Sequence, residues 1–503
     1  RDVERSRGLG DVYKRQAYSC MTSASEFLSV SFYSSDITGT TYQPSEIVLQ
    51  CKKVFKNIIA YDKFDFDGKK ESMYALRPAF DTVADMIGKG KKVPESLLEI
   101  FAQNPEYSAK LDSLINAKDK VPFKIFDKKN AEKLFGQNLN ISASQLEKFN
   151  LCRFSYFCNY GLNVRERQRA EINSMQYGTI VHYILERFFG EYTKEEYLSL
   201  EEDKFQKIVC AYLAEYAVEY FGEEQLESNS FKYRLKTIID NVMYLMKHIM
   251  EELSQSEFFV ADCELKIGED IPSYTIVLPD GHKIAVCGSV DRVDIMQRAD
   301  ITYLRIIDYK TGTKQFKLSD ILYGINLQML LYLHSIEASG GDKYGEIVPA
   351  GILYMPATVP YISSDSLKSI DKLPDELNKK LKMNGLLLKD TEIIHGMDKT
   401  DVATYIPVKI KAGEPVSSTS LATLAEFGKI FKKVDMLIAE MGKNIYNGNI
   451  EAKPLKGGHD SCEYCPYDSV CAYRQSNPIT CFSVDNKTVI EEITNEINGK
   501  EEE

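Results

Sequence analysis

The chain has 503 residues, of which 44% are apolar and 27% charged, with a net charge of −12. Two or three globular domains fit that length, and the composition excludes wholesale disorder, a fibre and a disulfide-stapled secreted scaffold, because eleven cysteines are sparse. No run approaches the ~18 apolar residues of a membrane span and no secretory signal opens the chain, so a reducing cytoplasm is expected, and the acidic balance makes any nucleic-acid surface a local one.

In chain order, residues 1–16 show weak periodicity and read as a non-native or frayed start. Residues 17–140 read as a helical segment plus a linker. Ile47, Val48, Cys51, Val54, Phe55 and Ile58 follow a helical stripe, and Met73 to Ile87 and Leu97 to Phe101 continue it. Lys118 to Lys133 is Lys-rich, carries Pro122 and reads as a linker. Residues 141–485 form the second domain. Ser142 followed by Gln145 makes a capping box that opens a helix. Helices run to about residue 255. Strands follow at Phe258–Ile267, Tyr274–Leu278, Lys283–Met296 and Thr302–Tyr309, with a turn at Pro279-Asp280-Gly281. Leu318–Ile336 reads as one long helix, Pro349–Met355 as a strand and Ser418–Met441 as a final helix. Residues 486–503 read as a flexible acidic tail. The pattern predicts an α/β fold preceded by a mostly helical segment.

The chemistry concentrates in two strands. One carries Cys287-Gly288-Ser289-Val290-Asp291-Arg292-Val293-Asp294 and the next Ile306-Ile307-Asp308-Tyr309-Lys310-Thr311-Gly312. Residues two apart on a strand share a face, so Asp308 and Lys310 point together and Tyr309 points away. Antiparallel pairing about a turn near Arg298 and Ala299 brings Asp291 close to Asp308. Two carboxylates and an ammonium then converge, which suits phosphodiester hydrolysis assisted by Mg²⁺ or Mn²⁺. Glu264 is either a further acidic site residue or a surface strand residue. Arg165, Arg167 and Arg169 form a basic run that either contacts DNA phosphates or is a solvated face.

Cys462, Cys465 and Cys471 form a C-x2-C-x5-C run, whose density points to a metal centre. Cys481 as the fourth ligand would make a zinc knuckle. Cys152 is the distant alternative, with Cys158 as its rival.

The Asp291 strand, the Asp308-Tyr309-Lys310-Thr311-Gly312 segment and Gln328-Met329-Leu330-Leu331-Tyr332 resemble the RecB-like branch of the PD-(D/E)XK nucleases. The resemblance implies a restriction-endonuclease-like core with a central mixed sheet and flanking helices. It implies that His182, in Gly178-Thr179-Ile180-Val181-His182, and the backbone carbonyl of Tyr309 join Asp291 and Asp308 as metal ligands. It gives Lys310 the water-positioning role and sets Gln328 and Tyr332 at the rim of the site. The wider layout is similar to the AddB family of bacterial helicase–nuclease subunits. That likeness implies a [4Fe–4S] cluster on Cys152, Cys462, Cys465 and Cys471, a helicase-like origin for residues 17–140, and an AddA-like motor subunit as heterodimer partner. It also implies an exonuclease acting on the single-stranded end of unwound DNA, on the 5′-terminated strand, in break resection and recombinational repair. The sequence carries no G-x-x-x-x-G-K-[ST] phosphate loop. Two other readings compete: a stand-alone Cas4-like exonuclease, and a non-catalytic DNA-binding scaffold.

Overall fold

The computed structural model describes residues 14–32, 41–55, 58, 74–88, 91–116, 124–125, 127–165, 174–221, 229–312, 315–359, 373–417, 419–471, 473 and 478–501. The chain divides into two compact units, Arg1–Val121 and Pro122–Glu503. The division falls ahead of the expected boundary at residue 140, inside the segment Lys118–Lys133 read as a linker.

In the first unit, helices α1 (Glu46–Val54), α2 (Leu76–Gly88), α3 (Glu95–Gln103) and α4 (Ser108–Asn116) are described. A small core joins the last three. The Phe80 ring lies 5.2 Å from that of Phe101 and 4.9 Å from that of Tyr107, over the buried Val83 and Leu111. The apolar stripe on α1 has a different fate. The helix stops at Val54, Ile58 lies beyond it, and no residue of α1 is buried.

The second unit begins with α5 (Lys128–Phe135), whose N-terminus is capped by the Asp127 side chain on the Lys129 N–H. Strand β1 (Asn138–Ile141) follows, and then α6 (Ala143–Leu151), which opens with the anticipated capping box between Ser142 and Gln145. A short helix, Arg153–Tyr156, runs into a π-turn at Phe157–Gly161. Three long helices come next: α7 (Ser174–Glu191), α8 (Glu202–Phe221) and α9 (Asn229–Ser254).

Strands β2 (Phe259–Ile267), β3 (Thr275–Val277), β4 (Lys283–Val286), β5 (Gly288–Arg298) and β6 (Ile301–Lys310) follow. The single strand expected over Lys283–Met296 is therefore two, parted at Cys287. β4 pairs with β1 and β3 in a small sheet, while β5 enters a six-stranded one. Gly288 makes the hand-over. A Cβ on it would lie 2.2 Å from the Tyr332 hydroxyl, so only glycine fits while that tyrosine holds its place.

The long helix expected over Leu318–Ile336 is also broken. A 3₁₀ turn at Leu318–Tyr323 ends in Gly324 at φ 69°, Asn326 follows at φ 55°, and only then does α10 (Gln328–Ser339) begin. Two left-handed residues cannot continue a helix. β7 (Glu346–Pro356), β8 (Asn384–Leu388) and β9 (Leu421–Ala422) complete the six-stranded sheet in the order β9-β8-β7-β6-β5-β2. The β5–β6 and β2–β5 pairs are antiparallel and the β6–β7 pair parallel, so the sheet is mixed. Helix α10 packs against β6 and β7.

Helix α11 (Leu424–Tyr446) starts six residues later than expected, at a second capping box, Thr423 with Glu426. The short parallel pair β10 (Leu455–Gly457) and β11 (Ile479–Cys481) precedes the last element. The expected acidic tail is helix α12 (Asn486–Glu501), which buries Val489, Ile493 and Ile497 against the main core. Their spacing of four puts them on one face, and that burial outweighs the polar composition. Among the described residues no helix is long and apolar enough to cross a membrane.

Candidate active site and cysteine cluster

The site grows out of the β5–β6 ladder. Arg292 pairs with Ile307 and Arg298 with Ile301, a register that sets Asp291 opposite Asp308 at the open end of the hairpin. Leu304 and Ile306 fill one buried face with Asp308 while Arg305 and Ile307 fill the other, so a one-residue slip would carry the buried Arg305 to the wrong face. The Tyr309 N–H donates to Asp291 Oδ2 at 3.0 Å, and Lys310 Nζ lies 2.5 Å from Asp308 Oδ2. Asp308 is buried and also accepts a 3.2 Å bond from Gln328 Nε2. Tyr332, one turn further along α10, lies beside Gly288 and within electrostatic reach of both aspartates. The sequence-predicted residues on the sheet and on α10 therefore do come together.

His182 arrives from α7. Its Nδ1 is 3.1 Å from Glu264 Oε1 and 3.6 Å from Asp291 Oδ2. Glu264, left open by the sequence, belongs to the site. It stands in β2 at φ 49°, in a left-handed conformation that costs a non-glycine residue ~1–3 kcal/mol and that clusters at functional positions. Ser289 Oγ donates to its other oxygen at 2.7 Å. Among the described residues, His182, Glu264 and Asp291 form the one group of three whose ligand atoms all lie within 4.8 Å of one another. Asp308 sits just outside that trio, drawn toward Lys310 and Gln328. No sequence pattern announced Glu264, because the kink that aims it is a backbone property.

The electrostatics mark a shortage of positive charge. Burial, then the neighbouring Asp308, hold the Asp291 carboxyl well above the usual carboxylate range. Burial opposes protonation of His182, but the bond to Glu264 and the charge of Asp291 outweigh it and raise the imidazole to about 9. Hard carboxylate oxygens and one imidazole, crowded together with this preference for added positive charge, are a donor set that fits a divalent cation.

The cysteines gather elsewhere in the unit. Cys152, Cys158, Cys465 and Cys471 share a small cluster with Phe154, Phe157, Tyr467 and Ala452. Cys462 lies within electrostatic reach of Cys152 and Cys465. Burial, reinforced by neighbouring thiols, pushes Cys152 and Cys158 up from the ordinary thiol range. The Tyr467 hydroxyl donates to the Val164 carbonyl at 2.7 Å, tying the C-terminal loop to the segment after Cys158. Cys481 stands apart, packed with Ile325 and Leu455. No three of these sulfurs lie within 4.8 Å of one another among the described residues. Arg165 is exposed, while Arg167 and Arg169 lie outside the described residues.

A mixed sheet that presents paired aspartates and a lysine from adjacent strands, with an imidazole from a flanking helix, defines the class of metal-assisted nucleases. Comparison with known proteins agrees: the description "PD-(D/E)XK nuclease superfamily" matches residues 140–472. The chain belongs to the PD-(D/E)XK nuclease superfamily. It is 31% identical over 487 residues to an ATP-dependent helicase/deoxyribonuclease subunit from Clostridium acetobutylicum, a match covering 91% of this chain and 41% of that protein. The protein of the same name from a Thermoanaerobacter species is 30% identical over 481 residues, covering 91% and 41%. That from Clostridium kluyveri is 30% identical over 521 residues, covering 97% and 44%. The chain thus spans about two fifths of the length of these relatives.

Proposed function

We propose that the chain is a divalent-metal-dependent deoxyribonuclease, an exonuclease subunit of an ATP-dependent helicase/deoxyribonuclease that resects double-strand breaks for recombinational repair in the cytoplasm. Its partner is an AddA-like motor subunit, and its substrate is the single-stranded, 5′-terminated end released from unwound duplex. The names of the relatives support that assignment. The observation that carries the chemistry is Asp308, gripped by Lys310 and Gln328 and facing Asp291 across the ladder.

In this reading His182, Asp291, Asp308 and the Tyr309 carbonyl hold the ion, with Glu264 beside them. The Tyr309 N–H points at Asp291, and the carbonyl of an extended residue points to the same side as its N–H. Bound Mg²⁺ or Mn²⁺ supplies an acidified water and charge neutralisation at the phosphoryl group. Lys310 orients the attacking water and offsets negative charge that develops on phosphate oxygens. Gln328 fixes the Asp308 carboxylate, and Tyr332 walls the rim. Asp308→Ala should abolish metal-dependent cleavage of single-stranded DNA while leaving DNA binding intact. Retained cleavage would discard the assignment.

Cys152, Cys462, Cys465 and Cys471 hold a [4Fe–4S] cluster in the same reading, supported by the packing of Cys152 with Cys465 and Cys471, by the nearness of Cys462 to Cys152 and Cys465, and by the separate place of Cys481. The cluster acts as a staple between the two edges of the nuclease region. Protein purified anaerobically should be brown and carry iron and acid-labile sulfide. A colourless protein with stoichiometric zinc would remove the cluster.

A further inference from the structure

A second charged surface begins near the end of the large sheet that carries Asp308 and runs along its β8 side. It is an open groove of about 730 Å³ whose lining, among the described residues, includes Lys379, Lys382, Lys409 and Lys411 and no carboxylate. In a chain of net charge −12 that concentration of ammonium groups is local. Its position follows from the register. Asp308 of β6 stands opposite Tyr354 of β7, and Tyr354 opposite Asn384 of β8. Lys382 and Met383 come directly before Asn384. With strands ~4.8 Å apart, Asn384 lies roughly 10 Å across the sheet from Asp308, and the groove opens beyond it, where Tyr405 packs on His248 of α9. The loop after Lys310 is anchored at the same point, where the Phe316 N–H donates to Asn384 Oδ1 at 2.8 Å.

The two walls are built differently. On one, Lys382 donates to the carbonyls of Ala403 and Val408 at 2.7 and 3.0 Å. Burial lowers Lys382 below the ordinary lysine range; Asp398 works against that shift and Lys409 adds to it. Lys379, on the helix Leu373–Leu381, pairs with Glu376 at 2.7 Å. On the other wall Lys409 and Lys411 share one exposed face of a hairpin strand, with Ile410 turned toward the core. Glu414 stands opposite Lys411 in register, but its carboxylate accepts from Thr391 Oγ1 at 2.8 Å. Protection of a strand edge accounts for lysines on a hairpin, not for two more facing them across a concavity. Like charges collected in a groove call for an anionic occupant. Among the described residues the lining contains no aromatic ring, so these residues offer phosphate contacts rather than a platform for base stacking.

We propose that this groove holds the phosphate backbone of the DNA strand being cut, a few nucleotides from the scissile phosphate, without regard to sequence. The proposal rests on the nuclease reading above. The test uses the full-length subunit assembled with its partner, carrying Lys409→Glu and Lys411→Glu, and a thymidine oligonucleotide of about 20 residues. Binding is measured between about 50 and 200 mM salt, where each phosphate contact on a single strand contributes about 0.7 to the log–log slope. The expected slope falls by roughly 1.4 for the two lost contacts. KM for the long strand should rise several-fold, and by more than KM for a tetranucleotide. The Lys409→Ala, Lys411→Ala pair, with an unchanged melting temperature, should reproduce the loss of slope. An unchanged slope and KM would overturn the proposal, and so would failed subunit assembly with intact DNA binding, which marks a protein interface. Asp308→Asn is assayed alongside: cleavage by that variant defeats the nuclease reading, whereas the salt slope judges the groove alone.

Discussion

Alternate residues of β5 and β6 build two charged clusters on opposite faces of the same ladder. On one face Arg292, Asp294 and Arg305 meet Glu252 of α9, and all four are fully buried. Arg292 donates to Asp294 through Nε and Nη2, both at 2.7 Å, and to Glu252 at 3.0 Å; Arg305 donates to Glu252 at 2.6 Å. Two cations offset two anions, so the charges of this network balance. On the other face Asp291, Asp308 and Glu264 set three carboxylates against Lys310 and a histidine, with His182 and Glu264 still about a quarter exposed. The contrast separates structure from chemistry. A closed, balanced network holds the sheet to its helix, while an open, acid-rich one waits for a cation and a substrate.

Five substitutions sharpen that contrast. The largest effect on folding is expected from Arg292→Met, which strands buried carboxylates and should cost about 3–5 kcal/mol of stability in a denaturant titration. Asp291→Asn, one residue away, should remove cleavage with no fall in melting temperature; matching losses of stability would erase the distinction. Lys310→Ala should lower kcat by on the order of 10²–10³ with folding intact, the scale for losing one group aimed at developing charge. Glu264→Gln should weaken Mn²⁺ binding, read by calorimetry, by roughly 10–100-fold, as for residues that orient or complete a metal site. The smallest effect belongs to Ser142→Ala, which removes a helix cap and should cost ~1 kcal/mol without touching metal affinity.

Much of the catalytic face was legible because strand chemistry is local. The spacing of Asp308 and Lys310 dictates a shared face, and Asp291 follows once the turn is placed near Arg298. That Gln328 and Tyr332 share one helical face was legible from their spacing, but their place beside Asp308 and Gly288 was expected only through the family resemblance. Glu264 was not legible, since its aim depends on a left-handed backbone within a strand. The break at Gly324 and Asn326 hid for a similar reason: apolar periodicity runs through Leu318–Ile336 while the backbone does not. The C-terminal helix was misread because its charged residues mask three buried ones, Val489, Ile493 and Ile497. The strand split at Cys287 needed knowledge of two sheets, which no single stretch of sequence contains.

That split gives position 288 an unusual authority. The space its missing side chain leaves is already filled by the hydroxyl end of Tyr332. One absent methyl therefore sets how closely Tyr332, and α10 with it, may approach the start of the strand that carries Asp291, so that a residue with no side chain acts as the gauge for that wall of the candidate site.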